Sequence, residues 1–357
     1  MKFRSIIFLF LFSGFTASGQ GNHSVGGRVH YGFIIPHTAS IEPISHTKPY
    51  GFEVSLSRLH TNYESWDVFR RYNISGIQAG YFNYQNPEVV GSSYTLTIYT
   101  EPIFFHNDKF YFSVRAGGGI SWQTRIWHYE YNQANRFFST RISMPLLLSA
   151  RFNYRVAEKT YLTLAGTYNH ISNGAMRVPN MGINFPTMSL GFEYYPSSFP
   201  QLDHNYVHTR TGRSDVRYLL FQVIGGFKYV WDEPTVAVGG SIRYVWQLRD
   251  FYSLNAGVEF IADGGVKKYL EIHEIYKDYK RFAVTGGQDF ILGKLYFTQY
   301  LGFYLYAPYK ARNLIYQKYE LSMKITPGFR PGVYLKAHTS DADLFGLSLN
   351  YILGIKP

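Results

Sequence analysis

The strongest constraint in this sequence is a two-residue period. Leu146, Leu148, Ala150, Phe152 and Tyr154 alternate with Ser149, Arg151, Asn153 and Arg155, and an extended strand puts such sets on opposite faces. The same alternation sets Tyr94, Leu96 and Ile98 against Thr95 and Thr97, and Tyr319, Leu321, Met323 and Ile325 against Lys318, Glu320, Ser322 and Lys324. Each segment is a strand with one oily face and one wet face. In a sandwich the oily face packs inward; in a closed barrel within a bilayer it turns outward. Three features select the barrel. The strands run about 10 to 13 residues, enough to cross a bilayer with tilt. The chain's 33 Tyr and 29 Phe gather near strand ends, as interfacial girdles require. Short turns at 157–158 and 290–293 alternate with long connections at 36–47, 123–142 and 264–280. The segment 60–75 is long where a short turn belongs.

Composition removes the competitors. Charged residues are 17% and aromatics 19% of the chain, which excludes disorder and coiled coil. Mean hydropathy is -0.18, and no stretch approaches the ~18 to 20 apolar residues of a spanning helix, so membrane residence requires closed β-structure. There is no cysteine, which excludes disulfides, thiolate metal sites and cysteine nucleophiles. Lys2 and Arg4 precede the apolar run 6–12, and Ala17, Ser18 and Gly19 supply the small residues of a cleavage site; residues 1–19 read as a signal peptide. Its removal lowers the net charge of +11 by two, to +9. For a secreted, basic, aromatic-rich chain the expected partner is anionic lipid in a membrane, not nucleic acid.

The chain reads as duplicated. Asp108-Lys-Phe-Tyr-Phe in the first half parallels Gly293-Lys-Leu-Tyr-Phe in the second, and each half later delivers a His-x-Ser, at His170 and Ser172 and at His338 and Ser340. Residues 20–197 form one eight-stranded unit, 198–214 a polar linker and 215–357 a second eight-stranded unit. The expectation is an all-β, antiparallel barrel of about sixteen strands. A single barrel is favoured over two tandem eight-stranded barrels because closing one sheet removes every edge.

The chemistry concentrates in the first His-x-Ser. His170 and Ser172 share parity with Leu162, Leu164 and Tyr168, so both lie on the oily face, a costly place for polar groups without a use. At i and i+2 on one strand face, a hydroxyl can hand its proton to an imidazole, and such a pair suits an ester held in the membrane. The bland reading puts both side chains at headgroup level with no chemistry. The neighbouring residues add to the case: His170-Ile171-Ser172-Asn173-Gly174, then Pro179-Asn180-Met181-Gly182-Ile183, resembles the active-site segment of the lipid A 3-O-deacylase (PagL-like) outer-membrane hydrolases, eight-stranded barrels whose His and Ser face the outer leaflet. The resemblance implies Ser172 as nucleophile, His170 as general base, and Asn180 and Asn173 with backbone amides as oxyanion stabilisers. It also implies the outer membrane of a Gram-negative bacterium as location and lipid A, or lipopolysaccharide, as partner. The family carries a Glu just after the Gly-Ile step; here Asn184 stands there. An Asn accepts the imidazole N–H but cannot stabilise imidazolium by charge. Glu193 has inward parity and is no substitute.

Around His338 the apolar parity belongs to Val333, Leu335 and Ala337, so His338 and Ser340 fall on the lumenal side, with Asp341 or Asp343 within reach. This copy reads as a relic. His204 and His208 lack a third metal ligand, Gly117, Gly118 and Gly119 lack the lysine and helix of a phosphate loop, and His273-Glu274 has no second zincin histidine. Residues 267–280 suggest a short loop helix. No metal or cofactor is expected. The function expected is a serine esterase that removes an acyl chain from lipid A. The alternatives are a non-catalytic barrel derived from that family and a porin-like channel with Arg151, Arg155, Lys318, Glu320 and Lys324 lining the lumen.

Overall fold

The computed structural model describes residues 22–63, 65–66, 71–197, 199–200, 202, 213–231, 233–310, 313–339 and 341–356. The segment read as a signal peptide, His204, His208 and Ser340 lie outside the described residues. The first eight strands are β1 (His23–Gly32), β2 (Tyr50–His60), β3 (Asn73–Asn86), β4 (Gly91–His106), β5 (Phe110–Gln123), β6 (Ile142–Ala157), β7 (Thr160–Ser172) and β8 (Ile183–Tyr194). The second eight are β9 (Arg213–Val230), β10 (Glu233–Arg249), β11 (Tyr252–Asp263), β12 (Lys280–Leu292), β13 (Leu295–Tyr306), β14 (Ile315–Met323), β15 (Phe329–His338) and β16 (Asp341–Lys356). Helix α1 (Gly264–Ile272) falls in the β11–β12 connection, where the sequence suggested one.

The sixteen strands close twice, which corrects the expectation of a single barrel. β1 pairs antiparallel with β8, from Val25 opposite Tyr194 to Gly32 opposite Thr187. β9 pairs with β16, with Gly226 opposite Gly346. The result is two closed eight-stranded barrels. Closure in two units removes edges as completely as closure in one. It also leaves lumens narrow enough for side chains to fill, which a sixteen-stranded ring is not. The duplicated motifs occupy equivalent places, opening β5 and β13 and ending β7 and β15.

The face pattern is the reverse of a soluble protein's. Side chains such as Leu96, Ile98, Leu146, Leu190, Val223 and Leu347 are exposed on the outside, while charged groups fill the inside. In the first barrel Arg115 meets Glu101 at 2.7 Å, Arg151 meets Glu193 at 2.7 Å and Glu101 at 3.0 Å, and Arg28 pairs with Glu53. In the second, Lys318 pairs with Glu259, and Glu320 accepts from Tyr300 at 2.7 Å, Gln222 at 2.7 Å and Ser348 at 2.7 Å. Each of these buried charges has an opposite partner or hydrogen-bond donors around it, the condition under which a charge tolerates an interior. These filled lumens do not offer the open passage of a channel.

The long segment before β3 now has a role. Tyr72 and Trp66 pack with Tyr111, Tyr161, Tyr195, Phe199 and Leu202 in one aromatic cluster, which plugs the lower end of the first barrel. A second cluster, built on Tyr84, Phe137, Phe138 and Phe185, closes the upper end, where the connections 33–49, 124–141 and 173–182 meet.

Candidate active site

β7 and β8 position the site. His170 and Asn184 are opposite each other in their ladder, as are Tyr168 and Pro186, and Gly166 and Met188. The outward set on β7 runs Leu164, Gly166, Tyr168, His170 and Ser172; Leu164 and Tyr168 are exposed. His170 and Ser172 are half-buried at the upper end of this face. The Ser172 hydroxyl lies 3.0 Å from His170 Nε2, and His170 Nδ1 lies 2.7 Å from Asn184 Oδ1. An amide oxygen can only accept, so His170 donates through Nδ1 and keeps Nε2 bare for the serine proton. The three residues form a Ser-His-Asn line on the outside of the barrel.

Glycine makes room for it. Gly182 has φ +66°, and a Cβ there would stand 3.0 Å from both His170 Cε1 and Ser172 Cβ. The left-handed backbone and the close approach both require a residue without a side chain.

The loop between β7 and β8 holds the other candidates. Asn180 Oδ1 accepts from the backbone N–H of Asn173 at 3.0 Å. The Asn173 side chain is buried and donates to Ser139 Oγ at 3.0 Å and to the Arg177 carbonyl at 2.9 Å. The three N–H groups of Asn173 thus tie the loop to itself and to the β5–β6 connection. The Asn180 Nδ2 group takes no part in the bond to Asn173.

The loop is gripped on two sides. The β5–β6 connection supplies the Arg136 carbonyl to Met181 N at 3.0 Å and the Phe137 carbonyl to Gly182 N at 3.3 Å. The second barrel supplies Tyr229 N, which donates to the Met176 carbonyl at 2.6 Å. The Arg177 guanidinium stands 5.8 Å from the Tyr229 ring. A Cβ on Gly174 would come within 2.7 Å of Phe345 Cβ. The two barrels thus meet at this loop, with their upper ends on the same side.

Below His170, an open groove of about 520 Å³ runs on the outer face between β1, β7 and β8. Tyr31, Phe33, Tyr168, Pro186 and Met188 line it, together with Gly166 and Lys48. Sequence reasoning missed this groove, and it missed His37. That histidine, in the β1–β2 connection, meets Asn184 Nδ2 at 3.2 Å through Nδ1 and the Met181 carbonyl at 2.9 Å through Nε2. Nothing in spacing ties it to Asn184, which lies far along the chain.

The second His-x-Ser is different in kind. His338 is buried in the lumen of the second barrel, with Nδ1 3.2 Å from the Ile315 carbonyl and Nε2 3.5 Å from Asp343. Among the described residues no cluster could hold a metal ion.

Two family models match the chain. Residues 50–193 match the model of the lipid A 3-O-deacylase (PagL) family. The first half of the chain belongs to this family. Residues 217–354 match the C-terminal domain of acyloxyacyl hydrolases, so both barrels fall under hydrolase family models. No curated protein sequence matches the chain. Among solved structures, a KdgM porin aligns at 9% identity and a TM-score of 0.21, covering 72% of this chain and 91% of its own. A triple mutant of Rhodopseudomonas blastica porin aligns at 7% identity and a TM-score of 0.19, covering 93% and 100%. Likeness at that level carries no argument. Asn184 stands where the sequence resemblance implied a Glu.

Proposed function

We propose that the protein is an outer-membrane serine esterase of the lipid A deacylase type, with Ser172 as nucleophile. The observation that carries the proposal is the unbroken hydrogen-bond line from Ser172 through His170 to Asn184 on the lipid-compatible face of β7 and β8. Ser172 Oγ attacks the ester carbonyl as its proton passes to His170 Nε2, and Asn184 holds the imidazole in the Nδ1–H tautomer. The tetrahedral oxyanion draws on Asn180 Nδ2 and nearby backbone amides. Collapse breaks the ester C–O bond, and the departing sugar hydroxyl takes the proton from His170. A water, deprotonated by His170, then releases the acyl chain from Ser172 as a carboxylate. The groove below His170 suits that chain: it is apolar, lies on the outward face and is lined by Tyr168 and Pro186, the ladder pair next to His170 and Asn184.

The test is mass spectrometry of lipid A incubated with the refolded protein in detergent, wild type against Ser172→Ala. Loss of one acyl chain with wild type alone is the expected result, and the fragment masses name the ester cut. No loss, with the barrel shown folded by heat-modifiable gel mobility, favours a non-catalytic barrel of the same family.

A further inference from the structure

An asparagine in place of a carboxylate creates a problem of orientation. Both oxygens of a carboxylate accept, so either presents correctly to His170. An amide has one oxygen and one NH2, and turned over it offers Nδ2 to His170. His170 would then have to accept at Nδ1 and carry its proton on Nε2, where it can no longer take the proton of Ser172.

His37 resolves this. Its Nε2 lies 2.9 Å from the Met181 carbonyl oxygen, which only accepts, so Nε2 carries a proton. In neutral imidazole the other nitrogen is then bare, and His37 Nδ1, 3.2 Å from Asn184 Nδ2, accepts. That acceptor keeps the amide nitrogen turned away from His170 and the amide oxygen toward it. Four donations run in one direction: Ser172 Oγ–H to His170 Nε2, His170 Nδ1–H to Asn184 Oδ1, Asn184 Nδ2–H to His37 Nδ1, and His37 Nε2–H to the Met181 carbonyl. The Met181 carbonyl sets the sense of the whole line, because reversing it would place a bare nitrogen against a carbonyl oxygen.

We propose that His37 is the positioning residue that makes Asn184 a working partner for His170, and that protonation of His37 turns the site off. The proposal rests on the esterase reading above for its kinetic arm. Imidazolium carries protons on both nitrogens, so Nδ1 becomes a donor and selects the reversed amide. The groups facing His37 are the neutral Asn184 on β8, the Met181 carbonyl in the β7–β8 loop and, beyond Asn184, the titratable His170 on β7. Among the described residues His37 makes no ion pair. Protonation therefore acts through hydrogen-bond sense rather than through a salt bridge.

The experiment combines kinetics with a readout that needs no substrate. His37→Ala is expected to lower kcat by about tenfold or more with KM little changed, and His37→Gln, which keeps an acceptor and a donor on one planar group, to recover part of the loss. In an Asn184→Asp background, where both oxygens accept, the same His37→Ala should cost at most about twofold. The pH–rate profile of His37→Gln should keep only the acid limb of His170, which as general base must be unprotonated. Nitrogen-15 histidine spectra of the full chain in micelles should give His37 as the Nε2–H tautomer and His170 as Nδ1–H at neutral pH, with His170 losing that single tautomer in His37→Ala. A His37 found as Nδ1–H, or a His170 tautomer indifferent to His37→Ala, overturns the proposal. An equal His37→Ala penalty in both backgrounds also overturns it. A wild-type protein that cleaves no lipid A refutes the esterase reading instead, and the spectra still decide the role of His37.

Discussion

His170 and Asn184 are register partners in the β7–β8 ladder, so the side chain that orients the imidazole comes from the position directly opposite it. Cross-strand partners have Cβ atoms ~4.5 to 5.5 Å apart, which leaves a short amide the right reach for the 2.7 Å contact. Asn184→Asp keeps that reach and adds the negative charge that stabilises imidazolium. Its kcat on lipid A should rise by about tenfold or more, read from the time course of acyl release.

Gly182→Ala should disable the site without unfolding the barrel. Its Cβ would press on His170 and Ser172 from 3.0 Å at a backbone angle of +66°, and a displacement of about 1 Å at reacting groups costs on the order of 100-fold. Acyl release should fall by that order while heat-modifiable gel mobility stays as in wild type.

Gly166→Leu should shorten the chain the groove accepts. Gly166 and Met188 face each other at the groove, and a Cβ on Gly166 sits 3.6 Å from the Met188 sulfur, in ordinary contact. A longer side chain fills the space beyond. Turnover of long-chain esters should fall by about tenfold relative to short-chain esters, and unchanged selectivity would remove the groove from the acyl-binding role.

Glu101→Gln should weaken the first barrel and leave the chemistry alone. Glu101 is fully buried between Arg115 and Arg151, and removing one partner of a buried pair costs about 3 to 5 kcal/mol. The unfolding free energy extrapolated from urea titrations in micelles should fall by that amount.

Phe345→Ala tests the grip of the second barrel on the β7–β8 loop. Phe345 stands against Gly174, two residues past Ser172, so its truncation should slow acyl release by a few-fold to about tenfold. Leu301→Ala, on the exposed face of β13, serves as the control and should not.

How much of this the sequence disclosed depends on the range of each signal. The faces of β7 were legible because parity is local: Leu164 and Tyr168 place His170 and Ser172 outside. The inward side of Arg151, Lys318 and Glu193 was legible for the same reason. Closure was not, because parity says which way a side chain points and nothing about which edge finds which. The choice between one barrel and two lies in the pairing of Val25 with Tyr194, a contact between distant parts of the chain. His37 was hidden by the same distance. The partners of Asn173 were hidden for a related reason: its donors go to Ser139, Arg177 and Asn180, which no local pattern ties to it.

Each barrel has an even number of strands, and an even count returns a chain to the end from which it set out. β1 and β9 both start, and β8 and β16 both finish, away from the end that carries Ser172. In a bilayer, an epitope joined directly after Tyr194 is therefore reached only from the side opposite Ser172. Antibody or protease added to intact cells and to permeabilised ones then reads out which way the protein is inserted, with the catalytic surface left undisturbed.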